Sequence, residues 1–194
     1  MTRSDSRQPI IRTQRLELHH LCTGELVTLF EVPEDSSIYE GQPFTNPHRV
    51  LIDDSGPLRW RVPQVKSDRS LNKWFVRWIV LSQTREIIGS TSFHGPPSAD
   101  GMIEIGLGIH PEFQGQGFGP ESLIGMWSWA TENIDVKRLR YTVSQSNTRS
   151  VRLIQKLGFS DVGVQIDDVD GLETIFEMSS AGFRDMFLID WRKE

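Results

Sequence analysis

Residues 102–133 constrain this chain most, because an alternating run leads through three closely spaced glycines into a helix-patterned run. Met102–Ile109 sets Ile103, Ile105, Leu107 and Ile109 on one side, which reads as a strand. Gly119–Asn133 carries Leu123, Met126, Trp127 and Ala130 at helical spacing. Between them, Gly115, Gly117 and Gly119 permit a tight loop whose backbone N–H groups converge on one spot. The helix N-terminus adds partial positive charge there, so the loop suits a phosphate or pyrophosphate. Pro120 is tolerated, since first-turn N–H groups have no intrahelical partner. Two common phosphate loops do not fit. Counting G-x-G-x-x-G from Gly115 puts Pro120 at its last position, and no Gly-Lys-Ser/Thr follows. Gly106 and Gly108, opposite the apolar face, leave bare strand backbone that an amide-bearing ligand can approach.

The remaining elements follow from periodicity. Strands are predicted at Arg15–His19, Trp74–Leu81, Glu86–Phe93, Arg138–Ser144, Glu173–Ser179 and Arg184–Trp191. Helices are predicted at Glu25–Glu31 and at Thr148–Leu157, the latter capped by Asn147 and ended by Gly158. Residues 33–70 hold Pro33, Pro43, Pro47, Pro57 and Pro63, which exclude long regular elements and read as an irregular binding loop or lid. Residues 1–11 are expected to be a disordered tail and 12–194 one domain. A hairpin followed by strand-helix-strand-helix-strand implies an α/β fold, with a single mixed β-sheet flanked by helices on both faces.

Composition narrows the function classes. No apolar run approaches the ~20 residues a membrane helix needs, and Met1–Arg12 carries no apolar signal segment. A net charge of −5 argues against broad nucleic-acid binding. The single cysteine, Cys22, excludes an internal disulfide and a cysteine zinc cage, so no metal is expected and a reducing, cytoplasmic location fits. Cys22 itself reads as a small, at least half-buried residue. An exposed edge strand or the six tryptophans would support a homodimer.

The spacing Gln114-x-x-Gly117-x-Gly119, with Asn147-Thr-Arg-Ser150 and Lys156-Leu-Gly-Phe159 downstream, resembles the GNAT superfamily of acyl-CoA-dependent N-acetyltransferases. Thr13-Gln-Arg-Leu-Glu-Leu, Glu104-Ile-Gly and the closing Asp185…Trp191 resemble its ribosomal-protein N-acetyltransferase (Rim-type) branch, over about residues 12–192. The resemblance implies acetyl-CoA as acyl donor. The pyrophosphate would lie on Gln114, Gly115, Gln116, Gly117, Phe118 and Gly119, and the pantetheine on the backbone of Leu107 and Ile109. It also implies that Asn147 contacts the CoA arm and that Ser150 lies near the phosphates. Arg149, Arg152 and Lys156 would attract CoA phosphates or simply be solvated.

Amide formation needs a neutral amine, so a base helps. Glu104, on the glycine-bearing face of its strand, is the first candidate, with a structural carboxylate as the alternative; His94 and His110 rank behind it. Relatives carry a tyrosine as general acid seven residues after the Asn; here that position is Ile154, leaving Tyr39, Tyr141, Ser144 and Ser146 as substitutes. The acceptor would be a peptide N-terminus, expected in an open groove, or a cationic small amine, expected in a closed pocket lined by Trp60, Trp74 or Tyr39. Glu31, Glu34, Asp35, Glu40, Asp53 and Asp54 against Arg49 make residues 31–54 acidic, which favours a cation. An acyl-CoA-binding module without activity is the alternative reading.

Overall fold

The computed structural model describes residues 7–169 and 171–187. Eight strands form one mixed sheet: β1 (Ile11–Arg12), β2 (Leu16–His20), β3 (Arg77–Leu81), β4 (Glu86–Phe93), β5 (Met102–Ile109), β6 (Arg138–Ser144), β7 (Ser160–Asp167) and β8 (Gly171–Ser179). Their order is β1-β2-β3-β4-β5-β6-β8-β7, antiparallel throughout except for the β5–β6 pair. The helices are α1 (Thr23–Glu31), α2 (Leu58–Ser67), α3 (Phe118–Ala130), α4 (Thr148–Lys156) and α5 (Ser180–Phe187). Among the described residues no helix is long and apolar enough to cross a membrane.

Helices cover both faces of the sheet. On one face lie α3, α4 and α5. Trp129 of α3 meets Phe93 and Trp74, Gly125 approaches Leu18, and Trp127 stacks on Phe159 at 4.6 Å with Phe183 edge-on at 5.9 Å. The inward row Leu16, Leu18, Ile79, Ile103, Ile105 and Leu139 is at most 1% exposed. Each such side chain contributes roughly 1.5–3 kcal/mol. The opposite face carries His19, Trp78, Ser92 and Glu104 by strand alternation. There the chain before α2 packs Tyr39 and Phe44 on Trp78, and α2 brings Arg61 to Ser92.

Several elements depart from the sequence prediction. The stretch 33–70, expected to be irregular, contains α2, with Pro63 inside it. Leu58, Val62 and Val65 are at most 1% exposed, and that burial outweighs the hydrogen bond the proline removes. The strand predicted from Trp74 begins at Arg77, because Arg69–Trp74 forms a 3-10 helix whose first turn is capped by the Asp68 carboxylate accepting from Ser70 N. Strand β7 was not foreseen. Its Val162, Val164 and Ile166 are exposed on the sheet's edge, so no buried alternation marks it. Of the strand expected at 184–191, residues 184–187 are helical and the others lie outside the described residues. Phe183 and Phe187 sit four apart, 5.5 Å between rings, with Phe183 buried against Trp127; a helix brings such a pair into contact, whereas a strand would hold them about 13 Å apart. From Arg7 onward the expected tail is engaged. Arg7 donates to Glu25 at 2.6 Å, Ile11 is fully buried, and Arg77 donates to Pro9 O at 2.8 Å.

Candidate active site

The site begins with a fork in the sheet. Strands β5 and β6 pair only over Met102↔Arg138, Ile103↔Leu139 and Glu104↔Arg140. Beyond Glu104, β5 stays paired to β4 as far as Ile109, while β6 stays paired to β8 as far as Ser144. The two strands therefore diverge. His94 N donates to Glu104 O and His110 N to Ile88 O, both at 2.8 Å, so the even-numbered residues of β5 bond to β4. By alternation, the main-chain groups of Ile105, Leu107 and Ile109 face the fork, while their side chains face α3. For Leu107 and Ile109 it is therefore backbone, as expected, that a ligand in the fork can reach. Farther out, Gln114 Nε2 donates to Ile109 O at 2.8 Å.

One end of the fork opens on the glycine loop. Gly115 and Gly117 adopt φ of 79° and 85°, a left-handed backbone that favours glycine. Gly119 serves packing instead, because a Cβ there would meet Leu153 Cδ1 of α4 at 3.2 Å. None of the described residues accepts from the backbone N–H of Gly115, Gln116, Gly117, Phe118 or Gly119. These donors stand at the start of a thirteen-residue helix, where the macrodipole favours an anion. The loop is braced from outside. Arg15 donates to Gln116 O at 3.0 Å, pairs with Glu121 at 2.7 Å and lies over the Phe118 ring at 4.4 Å. The Phe118 side chain is buried, and Gln116 Nε2 donates to Glu112 O at 2.9 Å. Arg149 donates to Gln114 Oε1, bridging α4 to the loop. Arg152 and Lys156 are exposed farther along α4.

Asn147 caps α4, its Oδ1 accepting from Ser150 N at 3.1 Å. Asn147→Ala is expected to lower stability by about 1 kcal/mol. Urea denaturation checks this, and an unchanged midpoint would show that the cap carries no stability. The Ser150 side chain bonds the phenol of Tyr141, whose pKa burial pushes up. Ile154 is fully buried. Of the substitute hydroxyls, Tyr141 is buried on the α3 side, and Tyr39 lies on Trp78, accepting from Asn46 at 2.8 Å. Ser144 and Ser146, 2.9 Å apart, stand at the open end of β6.

Glu104 lies where the fork closes. Its Oε1 accepts from Thr142 Oγ1 at 2.6 Å and lies 3.4 Å from His94 Nδ1, whereas Oε2 has no partner among the described residues. The His94 ring lies over Gly106, close enough that a Cβ there would sit 3.2 Å from Nε2. Crowding pushes the His94 pKa down, the Glu104 carboxylate pulls it up, and Arg61 adds to the downward push. Water moderates these effects, because 46% of the His94 side chain is exposed. Arg61 reaches this place from α2. It is 6% exposed, donates to Ser92 Oγ at 3.3 Å and to Gln64 Oε1 at 3.0 Å, and pairs with no carboxylate among the described residues. Burial lowers its pKa to about 10, and the Glu104 charge opposes that shift.

Sequence reasoning missed Thr142 and Arg61. Thr142 shares the Glu104 face through strand alternation and was legible in principle; Arg61 depended on the unforeseen helix. His110 lies apart from Glu104, against His48 at a ring separation of 4.8 Å. Cys22 precedes α1, with a backbone N–H donating to Glu25 at 2.8 Å and a thiol pKa raised by burial. A surface depression of 610 Å³ near Trp74, Asp100 and Lys137 opens at the start of β5 and β6 and shares no residue with the fork.

Comparison with known proteins agrees with this architecture. The uncharacterized N-acetyltransferase YjdG of Bacillus subtilis is 33% identical over 88 residues, 45% of this chain and 52% of that protein, so the match spans about half of that relative's length. The uncharacterized N-acetyltransferase YoaA of Bacillus subtilis is 26% identical over 161 residues, 80% of this chain and 85% of that protein. Among solved structures, the spermidine/spermine N-acetyltransferase SpeG of Vibrio cholerae (mutant forms) superposes with a TM-score of 0.60 at 16% identity, covering 89% of this chain and 98% of that one. RimL, a ribosomal L7/L12 alpha-N-protein acetyltransferase solved with coenzyme A, gives 0.60 at 15% identity, covering 88% and 98%. Residues 15–160, from the start of β2 to the start of β7, match the acetyltransferase (GNAT) domain, and with the forked sheet and glycine loop inside that span the chain belongs to the GNAT family.

Proposed function

We propose that this protein transfers an acetyl group from acetyl-CoA to a primary amine, and that its acceptor is a peptide N-terminus, as in the Rim-type branch. The observation that carries the reading is the fork. Among the described residues it has main chain of β5 beyond Ile105 that β6 does not pair, N–H donors without acceptors at the glycine-loop end and a carboxylate with one unpartnered oxygen at the other. Pantetheine amides match the strand groups of Leu107 and Ile109, and the pyrophosphate matches Gln114–Gly119. The CoA carried by RimL, a structure of the same fold, supports the donor. Glu104 Oε2 would take the proton from the ammonium, directly or through water. The amine then attacks the thioester carbonyl, and the thiolate leaves as the nitrogen's second proton passes to it through water. Holding both substrates in one cleft supplies much of the acceleration.

Residues 33–70 would form the acceptor side, since α2 brings Arg61 and Gln64 against β4 beside Glu104. The acids there favour a polycation less than their number suggests. Glu34 and Asp53 pair with Arg49, Glu31 with Lys66, and Asp35 and Asp54 accept from local backbone. The charge that α2 presents near Glu104 is the buried Arg61, which repels a polyamine. A peptide brings one ammonium and carbonyl oxygens that accept from a guanidinium. Trp60, Trp74 and Tyr39 do not form a closed small-amine pocket. Trp60 is exposed, Trp74 lies against Trp129 on the α3 side, and Tyr39 lies against Trp78 on the other.

A thiol-release assay with acetyl-CoA tests this. Peptides with a free N-terminus should turn over at a kcat/KM at least ~10-fold above spermidine, and N-terminally blocked peptides should be inert. A preference for spermidine would overturn the acceptor. Tight CoA binding without thiol release for any amine would make the protein a binding module.

A further inference from the structure

Outside the fork, three metal-ligating side chains meet from two separate stretches of chain. His48 comes from the segment before α2; His110 and Glu112 come from the turn between β5 and the glycine loop. One donor atom of each lies within 4.8 Å of the others. His48 Nδ1 is 3.8 Å from a Glu112 oxygen, and its Nε2 is 3.9 Å from a Glu86 oxygen. Two ring nitrogens, His48 Nε2 and His110 Nδ1, are buried without a hydrogen-bond partner among the described residues. Buried polar atoms are normally satisfied, so this pair calls for an explanation. The rings are held in place: Phe113 packs edge-on against His48 at 4.8 Å, and His110 N bonds to β4.

We propose that His48, His110 and Glu112 bind a divalent transition-metal ion of the zinc class. Two imidazoles and a carboxylate form a donor set that zinc accepts with a fourth position left to water. Tetrahedral zinc holds such donors about 3.3 Å apart, from bonds of about 2.0–2.1 Å. Glu112, whose side chain is 70% exposed, has room to rotate toward the two rings, and the spread of 4.8 Å asks for side-chain movements of about 1–2 Å. With the ion on His48 Nδ1, the Nε2–H faces the Glu86 carboxylate at 3.9 Å, the kind of group that sits behind a ligating histidine, and a small shift would bring it into hydrogen-bond range. The ion would tie the segment before α2 to the turn that feeds Gln114. It needs neither acyl transfer nor CoA, so it stands or falls apart from the proposed function.

The test is titration of tag-free protein with Co²⁺, followed by its visible absorption, and with Zn²⁺, followed by calorimetry. One ion per chain should bind with a Kd of about 10 μM or tighter, near −7 kcal/mol. His48→Gln and His110→Gln should each weaken binding at least ~100-fold, and Glu112→Gln about 10-fold; His94→Gln should leave affinity unchanged. Glu112 is exposed, so its variant keeps the test informative if a histidine variant fails to fold. Absence of saturable one-to-one binding below about 100 μM, or affinity unchanged in Glu112→Gln and in the folded histidine variants, overturns the site.

Discussion

Glu104→Gln is expected to lower kcat/KM by about 10²–10⁴ while CoA affinity stays at its wild-type value. The amide keeps the shape and an oxygen that can still accept from Thr142 at the observed 2.6 Å, so the fork's geometry should persist. The basicity of the free oxygen is lost. An N-terminal ammonium has a pKa of about 7.7–8.0, so wild-type kcat/KM should rise with pH to a plateau above that range, and the variant should reach a much lower plateau. His94 adds a second expectation. Crowding holds its pKa below the ordinary imidazole value, so it charges only as pH falls below about 6.5. The added positive charge beside Glu104 and Arg61 then opposes binding of an ammonium. Activity should therefore fall more steeply there than protonation of the amine alone requires, and His94→Gln should remove that added steepness. Steady-state kinetics over a pH series reads both effects. Wild-type turnover in a folded Glu104→Gln protein would make the carboxylate structural.

Gly117→Glu should raise the Kd for CoA by about 10²–10³. A non-glycine residue at φ 85° costs roughly 1–2 kcal/mol, which a domain of this size can bear. The affinity loss comes from charge. A carboxylate within about 4 Å of a pyrophosphate is repelled by about 1 kcal/mol in water and by about 4 kcal/mol in a partly buried site. The new side chain would also compete with Glu121 for Arg15, whose Nη2 lies 3.2 Å from the Cβ position, and so loosen the brace that shapes the loop. Calorimetric titration with CoA, beside circular dichroism to verify the fold, gives the answer. Unchanged affinity in a native-like variant would remove the pyrophosphate from Gln114–Gly119.

The two predictions rest on features with different origins. The strand, the glycine loop and helix α3 were legible in the residues, because their signals are local: period-two alternation in Met102–Ile109, helical spacing from Leu123 to Ala130, and glycines that alone tolerate the loop's backbone at 115 and 117. Asn147 as a cap was legible for the same reason. Glu104 could be put on the glycine-bearing face, and thus away from the core, by counting along one strand.

What counting along the chain could not supply is who stands opposite. The divergence of β5 from β6 after Glu104 is a property of two strands whose pairing ends, and neither strand's own pattern records it. Helix α2 exists because the face it covers buries Leu58, Val62 and Val65 strongly enough to override Pro63, so the arrival of Arg61 beside Glu104 was hidden with it. Burial likewise turned Phe183 and Phe187 into a helix where short-range signals suggested a strand. His48 and His110 meet although 61 residues separate them in the sequence. Local propensity and periodicity therefore determined the elements and the loop chemistry of this protein. Tertiary burial, which acts between residues remote in sequence and outweighs a single proline, decided the charge beside the carboxylate and the pairing of the histidines.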